Sequence, residues 1–239
     1  MTTMSVNKAV HLKGKIVVIT GGSQGFGKVL AKYFIAGGSR VIISSNDAKI
    51  LGDAAKELSC DHLLADVTSM DNLKNLGKYA FDKYGAIDIW INNAGIQIAP
   101  SPVEDVDVQK LHNLFNINFF GYFYGCQVAL AYMKKQGKGL IININSTAGL
   151  EGKPGISAYS SSKFAIKGLT ESLRKELKDS NIQIYGVFPG GMKTDIYKEK
   201  YPSDINEYMD VDYAVKKVIE NLKSDTPEID LIIKRPVKS

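Results

Sequence analysis

Short apolar, β-branched runs alternate along this chain with longer segments of helical period, and this alternation restricts the possible folds more than any other feature. The runs are Ile16–Thr20, Val41–Ser45, His62–Ala65, Ile87–Asn92, Leu140–Asn145, Ile182–Val187 and Ile229–Ile233. Helix-like segments lie between them, near 26–36, 47–58, 69–84, 107–135, 156–178 and 211–223. Strands that are apolar on both faces and separated by helices form a parallel sheet covered on both sides. Right-handed crossovers then lead to an α/β fold, a Rossmann-type doubly wound sheet of about seven strands in three α/β/α layers. No repeat, low-complexity tract or linker interrupts the 239 residues. A single domain over 1–239 is therefore expected, with 1–13 as an N-terminal tail. The long irregular stretch 188–210 reads as a functional loop within that domain.

Charge and cysteine usage exclude several function classes. The 30 basic and 25 acidic residues are interleaved, so the net charge of +5 reads as ordinary solvation. Without a basic block or an aromatic–basic patch, no nucleic-acid partner is expected. The first residues lack the apolar run of a signal peptide, and no stretch approaches the roughly 20 apolar residues of a membrane helix. Cys60 and Cys126 are too few for a disulfide framework, which points to a reducing cytoplasm. His11, His62 and His112 are scattered, so no metal site is expected.

The first strand runs into Thr20-Gly21-Gly22-Ser23-Gln24-Gly25-Phe26-Gly27 and then into a helix carrying Phe26, Leu30, Tyr33 and Phe34 on one face. Glycines let a backbone turn tightly against a pyrophosphate, and a helix N-terminus supplies free N–H groups and partial positive charge. The spacing is Gly-x-x-x-Gly-x-Gly, which differs from the general dinucleotide fingerprint.

Two helical stripes contain polar intruders. Tyr159, Lys163, Ile166, Thr170, Leu173 and Leu177 share one face of the segment near 156–178. Its upper end places a phenol and an ammonium where core residues belong, and a buried lysine calls for a partner or a role. On the segment near 107–135, Leu111, Phe115, Asn118, Tyr122, Cys126, Ala129 and Met133 form a second stripe, with Asn118 the polar member. Leaving that amide unpaired would cost about 1–3 kcal/mol. Cys126 reads as packing. Ser146 follows the strand Leu140–Asn145, at the same sheet edge as the glycine turn, Asn92-Asn93-Ala94-Gly95 and Pro189-Gly190. In open parallel sheets that edge holds the ligand.

Taken in order, Thr20-Gly21…Gly25-Phe26-Gly27, Asp66, Asn92-Asn93-Ala94-Gly95, Asn118, Ser146, Tyr159…Lys163 and Pro189-Gly190…Thr194 resemble the short-chain dehydrogenase/reductase family, in its single-domain branch. The resemblance spans roughly residues 14–233. It implies an NAD(P)-dependent enzyme that moves a hydride between the nicotinamide and a carbonyl or secondary alcohol. Tyr159 would be the general acid or base, Ser146 would hold the substrate oxygen, and Asn118 would support a water relay to Lys163. Lys163 would also hydrogen-bond the nicotinamide ribose and, with the cofactor's charge, favour the phenolate of Tyr159. A shift of about three units needs roughly 4 kcal/mol of differential stabilisation. Gly21, Ser23, Gln24, Gly25, Phe26 and Gly27 would line phosphates and ribose, Asp66 and Val67 the adenine, and Asn93, Ala94 and Gly95 the adenine ribose. Pro189, Gly190, Met192 and Thr194 would hold the nicotinamide.

Three departures from the family pattern bear on specificity. Ser45 stands where NAD-using members carry an acid, and Asn46 where many NADP-using members carry arginine. Without acid repulsion, NADP(H) is expected over NAD(H). The last strand is followed by Lys234-Arg235-Pro236 in place of a glycine-rich ending. A homo-oligomer is still expected, dimer or tetramer. The loop after Pro189 is short, and Ile96, Ile98, Leu150, Met192, Ile196 and Tyr197, with Tyr201, are the substrate candidates. That apolar set suggests an uncharged, hydrophobic ketone or aldehyde. The alternatives are less well supported. A sugar-nucleotide epimerase needs a larger C-terminal domain than the 50 residues after Pro189 allow. An enoyl reductase spaces its tyrosine and lysine more widely. A catalytically silent redox sensor or scaffold would not need Asn118, Ser146, Tyr159 and Lys163 together.

Overall fold

The computed structural model describes residues 9–236. Its seven strands are β1 (Ile16–Thr20), β2 (Arg40–Ser45), β3 (Asp61–Leu64), β4 (Ile89–Asn92), β5 (Gly139–Ile144), β6 (Ile182–Pro189) and β7 (Asp230–Ile233). They form one sheet in the order β3-β2-β1-β4-β5-β6-β7, and every pairing is parallel. The helices are α1 (Gly25–Ala36), α2 (Ala48–Leu58), α3 (Met70–Tyr84), α4 (Val108–Phe115), α5 (Gly121–Gln136), α6 (Ser157–Glu176) and α7 (Val211–Lys223). This is the doubly wound α/β sheet that the alternation predicts.

Alternate strand residues feed two separate cores. Val17, Ile19, Ile43, Ile91 and Ile142 pack with α1, α2 and α7 through Leu30, Phe34, Leu51 and Val215. Val18, Ile42, Trp90, Ile141 and Ile184 face the other way, against Leu73, Leu76, Ala129, Met133 and Leu173 of α3, α5 and α6. Each such side chain contributes about 1.5–3 kcal/mol on burial. The edge strand β3 alternates half-buried and exposed positions, so one of its faces meets solvent. Asp47, Ser69 and Asp107 cap α2, α3 and α4 by accepting from Ile50, Asn72 and Lys110 N–H.

The segment near 107–135 is not one helix of constant period. A π-helical turn, Asn116–Phe120, joins α4 to α5 and slips the register by about one residue. Leu114 is consequently fully buried, and Leu111 and Phe115 are only half-buried. Asn118, Tyr122, Cys126, Ala129 and Met133 keep their places inside. The loop after β6 also has more structure than expected. It holds 3-10 turns at Asp195–Tyr197 and Ile205–Glu207, and a parallel bridge joins Met192 to Met209.

Strand order reverses between β1 and β4, so the loops leaving their C-terminal ends diverge and open a crevice at that edge. Among the described residues no helix is long and apolar enough to cross a membrane, and no cluster of His, Cys, Asp or Glu could hold a metal ion.

Candidate active site

A cavity of about 810 Å³ occupies the crevice. Every residue assigned above to the dinucleotide lines it: Gly21, Ser23 to Gly27, Ser45, Asn46, Asp66, Val67, Asn93 to Gly95, Tyr159, Lys163, Pro189, Gly190, Met192 and Thr194.

The glycine turn at one end fits a dinucleotide on two grounds. Gly21 has φ +62°, and a Cβ there would lie 2.8 Å from Ala94 Cα. A Cβ on Gly27 would reach within 2.3 Å of Gly21 O, so α1 starts closer to the strand end than a side chain permits. In addition, α1 begins without a side-chain cap and without an acid in its first turn, leaving its N–H groups and positive end facing the cavity. The Asn93 side chain is committed to this turn and donates to Thr20 O at 2.9 Å and Gly21 O at 3.0 Å. Asn93 Nδ2 is thereby spent on the turn, which leaves its backbone and Oδ1 for a ligand. Asp66 lines the cavity just beyond β3, where one carboxylate oxygen accepts from Thr68 N and Oγ1, both at 2.8 Å. Ser45 Oγ accepts from Asp47 N at 3.3 Å.

The reacting end is built on α6. Tyr159 and Lys163 are 8 % and 4 % exposed, so the polar end of the predicted stripe lies inside the protein. Burial pushes the Tyr159 phenol up to about 12, while its hydrogen bond with Ser146 pulls the other way. Burial brings the Lys163 ammonium down to about 7. In the free chain, desolvation is the largest cause of both shifts. Lys163 Nζ donates to Ile144 O at 3.2 Å, a carbonyl that also accepts from Tyr122 Oη at 2.6 Å. It lies 5.3 Å from the centre of the Tyr122 ring and 5.7 Å from that of Tyr159. Ser146 caps the 3-10 turn Thr147–Gly149 and accepts from Ala148 N at 3.2 Å.

Asn118 sits behind this group, fully buried in the π-turn and outside the cavity lining. Its Oδ1 accepts from Ile96 N and its Nδ2 donates to Ile96 O, both at 2.9 Å, with Ser162 Oγ at 3.2 Å. The amide thus fixes the loop that carries Gly95. A Cβ on Gly95 would lie 3.3 Å from Asn118 Oδ1 and 3.9 Å from Lys163 Nζ, so the loop, the π-turn and α6 converge there.

Among the substrate candidates, Ile96, Met192, Ile196, Tyr197 and Tyr201 line the cavity. Ile98 and Leu150 do not. Ile98 packs against Leu114, Ala148 and Tyr159, and Leu150 closes the 3-10 turn. Sequence reasoning missed Ile156, Lys153, Lys198, Lys200, Tyr208 and Arg235, all of which line the same space. The Lys234-Arg235-Pro236 departure was a signal, but only strand pairing reveals where it leads. Gly190 N donates to Ile233 O at 2.9 Å and brings the end of β7 beside the loop that follows β6.

Comparison with known proteins agrees with this geometry. The family model described as short chain dehydrogenase matches residues 15–205. A 3-oxoacyl-[acyl-carrier-protein] reductase of Thermotoga maritima is 33% identical over 207 residues, covering 83% of this chain and 82% of its own. An uncharacterized oxidoreductase of Staphylococcus aureus is 31% identical over 229 residues, covering 95% and 99%. The crystal structure of a 3-ketoacyl-(acyl-carrier-protein) reductase from Brucella melitensis, complexed with NADH, superposes with TM-score 0.86 at 24% identity, covering 93% of this chain and 97% of that one. The chain belongs to the short-chain dehydrogenase family and is an NAD(P)-dependent oxidoreductase acting on carbonyl and alcohol groups.

Proposed function

We propose that this enzyme reduces a carbonyl with NADP(H), using Tyr159 as the general acid. The observation that carries this reading is the presence of Ser146 and Tyr159 together in the cavity wall, with Lys163 buried one helical turn further along α6. When bound, the nicotinamide supplies the hydride and, once oxidised, a positive charge that pulls the phenol down. Ser146 holds the substrate oxygen with its hydroxyl, because Ala148 N–H and the turn fix its position. Tyr159 gives its proton to that oxygen. At neutral pH its raised pKa keeps the phenol protonated, so the resting site is poised as an acid. Running as a base would require roughly 7 kcal/mol of differential stabilisation to bring the phenol from about 12 to neutral pH. Lys163 anchors the ribose side and passes the proton on, with Asn118 supporting a water relay. Ile96, Ile156, Met192 and Ile196 surround the reacting end of the substrate with apolar surface.

NADP(H) is favoured because Ser45 and Asn46 present no carboxylate to a 2′-phosphate, and they line the cavity beside Asp66, whose carboxylate holds Thr68. The exposed aromatic residues on α5 and α6 support assembly with a second copy of the chain. The free thiols of Cys60 and Cys126 suit the cytoplasm.

Tyr159→Phe tests the mechanism. NADPH binding, followed by fluorescence titration, should persist while carbonyl reduction falls by about 10²-fold or more. Full turnover in Tyr159→Phe would refute the mechanism. A wild type that binds NADPH but reduces nothing in a broad carbonyl panel would instead be a silent sensor or scaffold. Initial rates on one accepted carbonyl decide the cofactor, and a clear preference for NADH over NADPH would overturn that part.

A further inference from the structure

Arg235 stands two residues beyond β7, where strand pairing brings it alongside the loop that follows β6. Its guanidinium carbon lies 4.1 Å from the centre of the Tyr208 ring. Tyr208 meets Tyr197 edge-on at 5.5 Å, and Tyr197 shares the cavity wall with Tyr159. A series of phenols thus leads from the reacting position to a cation. Its placement is specific. A Cβ on Gly191 would come within 2.5 Å of the Tyr208 ring, so that glycine lets Tyr208 lie against the loop. Lys193 N donates to Met209 O at 2.9 Å and Met209 N to Gly191 O at 3.0 Å, which fixes the backbone on both sides.

Arg235 is positioned without being neutralised. Asp204 offers one oxygen to both Nη atoms at 3.3 Å, and both side chains are exposed. Exposed pairs of this length contribute little, and a guanidinium has further N–H donors for a second acceptor. Arg235 lines the cavity and Asp204 does not. The surroundings have the same sign. Lys153, Lys198 and Lys200 also line the cavity and make no salt bridge among the described residues. Of the acids in the lining, Asp66 lies just beyond β3 and holds Thr68. Asp195 accepts from Tyr201 Oη at 2.9 Å.

We propose that Arg235 binds a carboxylate on the substrate, several bonds from the carbonyl that is reduced, so that the substrate is an oxo acid. This departs from the uncharged ketone expected from the sequence, and it rests on the carbonyl chemistry proposed above. Two strand spacings, about 10 Å, separate β5, which leads to Ser146, from β7. That span suits a chain of several methylenes between the two polar ends. A guanidinium fork matches the two oxygens of a carboxylate.

The test is binding to the protein loaded with NADP⁺, which permits no reduction. Isothermal titration calorimetry would compare 5-oxohexanoate and 7-oxooctanoate, each with its methyl ester. At least one acid should bind about tenfold or more tightly than its ester, and high salt should weaken the acid alone. In R235Q the acid-to-ester ratio should fall to near one, while R235K keeps part of it. The proposal is overturned if wild type binds ester as well as acid, if neither acid binds, or if the ratio survives in R235Q. It is equally overturned if R235Q weakens NADP⁺ binding and leaves the ratio intact, since the cation would then serve the cofactor. If R235Q fails to fold, R235K carries the test, and a ratio unchanged in R235K overturns the proposal. Arginine-dependent binding of an acid that neither NADPH nor NADH reduces would count against the reductase reading and leave Arg235 as a carboxylate site only.

Discussion

Lys163 is a lysine enclosed by the protein with a backbone carbonyl as its hydrogen-bond acceptor, and that placement has a thermodynamic signature. Burial holds its pKa at about 7 in the folded chain, whereas an unfolded lysine titrates near 10.4. Between those values the unfolded state binds more protons, so this residue makes stability rise as pH increases from about 7 to 10. Tyr159 acts in the opposite direction and only above its unfolded value near 10, because its folded pKa is raised to about 12. Burial raises Cys60 to about 11 and Cys126 to about 12, so both thiols oppose Lys163 from about pH 9 upward, and the comparison with Lys163→Met is what isolates the lysine. Denaturant unfolding of the cofactor-free protein should show wild type gaining on Lys163→Met by a few kcal/mol across that window. A difference that stays constant with pH would mean that the ammonium is solvated. The types and spacing of Tyr159, Lys163, Ser146 and Asn118 were legible in the sequence because each is a polar residue at a position that the surrounding pattern marks as interior or as a strand end. The direction in which burial moves their protons was not legible, because desolvation depends on what closes over them.

At the scale of elements, α6 carries the reacting pair and must be held at a fixed height over the sheet. Arg174 holds it by donating from Nε to Ile184 O at 2.7 Å and by bridging Asp230 with two bonds at 2.7 and 2.8 Å. These contacts tie the end of α6 to β6 and β7. The Arg174 side chain is 17% exposed, so the pair is partly desolvated and losing one partner strands the other. Arg174→Ala should cost about 2 kcal/mol, read as a lower urea midpoint. An unchanged midpoint would mean that packing alone positions α6. The existence of the elements followed from periodicity, and the stripe on α6 matches its buried face from Tyr159 to Leu177. The π-turn did not follow, because one extra residue in a helical turn preserves hydrophobic character while rotating the face. Leu114 and not Leu111 then enters the interior.

At the scale of the molecule, the outer surface of α4, α5 and α6 exposes Val108, Phe120, Phe123 and Phe164, at 64%, 43%, 39% and 44%. Phe119 packs edge-on against both Phe120 and Phe123, which makes the patch continuous on the α5 side. Apolar surface of this kind marks an interaction site, and a second copy would bury it symmetrically. Light scattering after size exclusion should find a dimer or tetramer, and Phe123→Asp with Phe164→Asp should dissociate it. A monomeric wild type at micromolar concentration would rule this out.

The sequence by itself determined the parallel α/β sheet, the glycine turn and part of the residue set that lines its C-terminal edge. Those depend on local quantities: side-chain type, a period of two or 3.6, and position after a strand. Tertiary structure alone decided which groups meet across the edge. Arg235 is 76 residues from Tyr159 in the chain, and it joins that cavity only because β7 pairs with β6. Leu150 is 9 residues from Tyr159, yet it faces away because a 3-10 turn ends there. Distance along the chain carries no information about distance across a sheet. The apolar reading of the substrate region came from neighbours in sequence, and its charge came from neighbours in space.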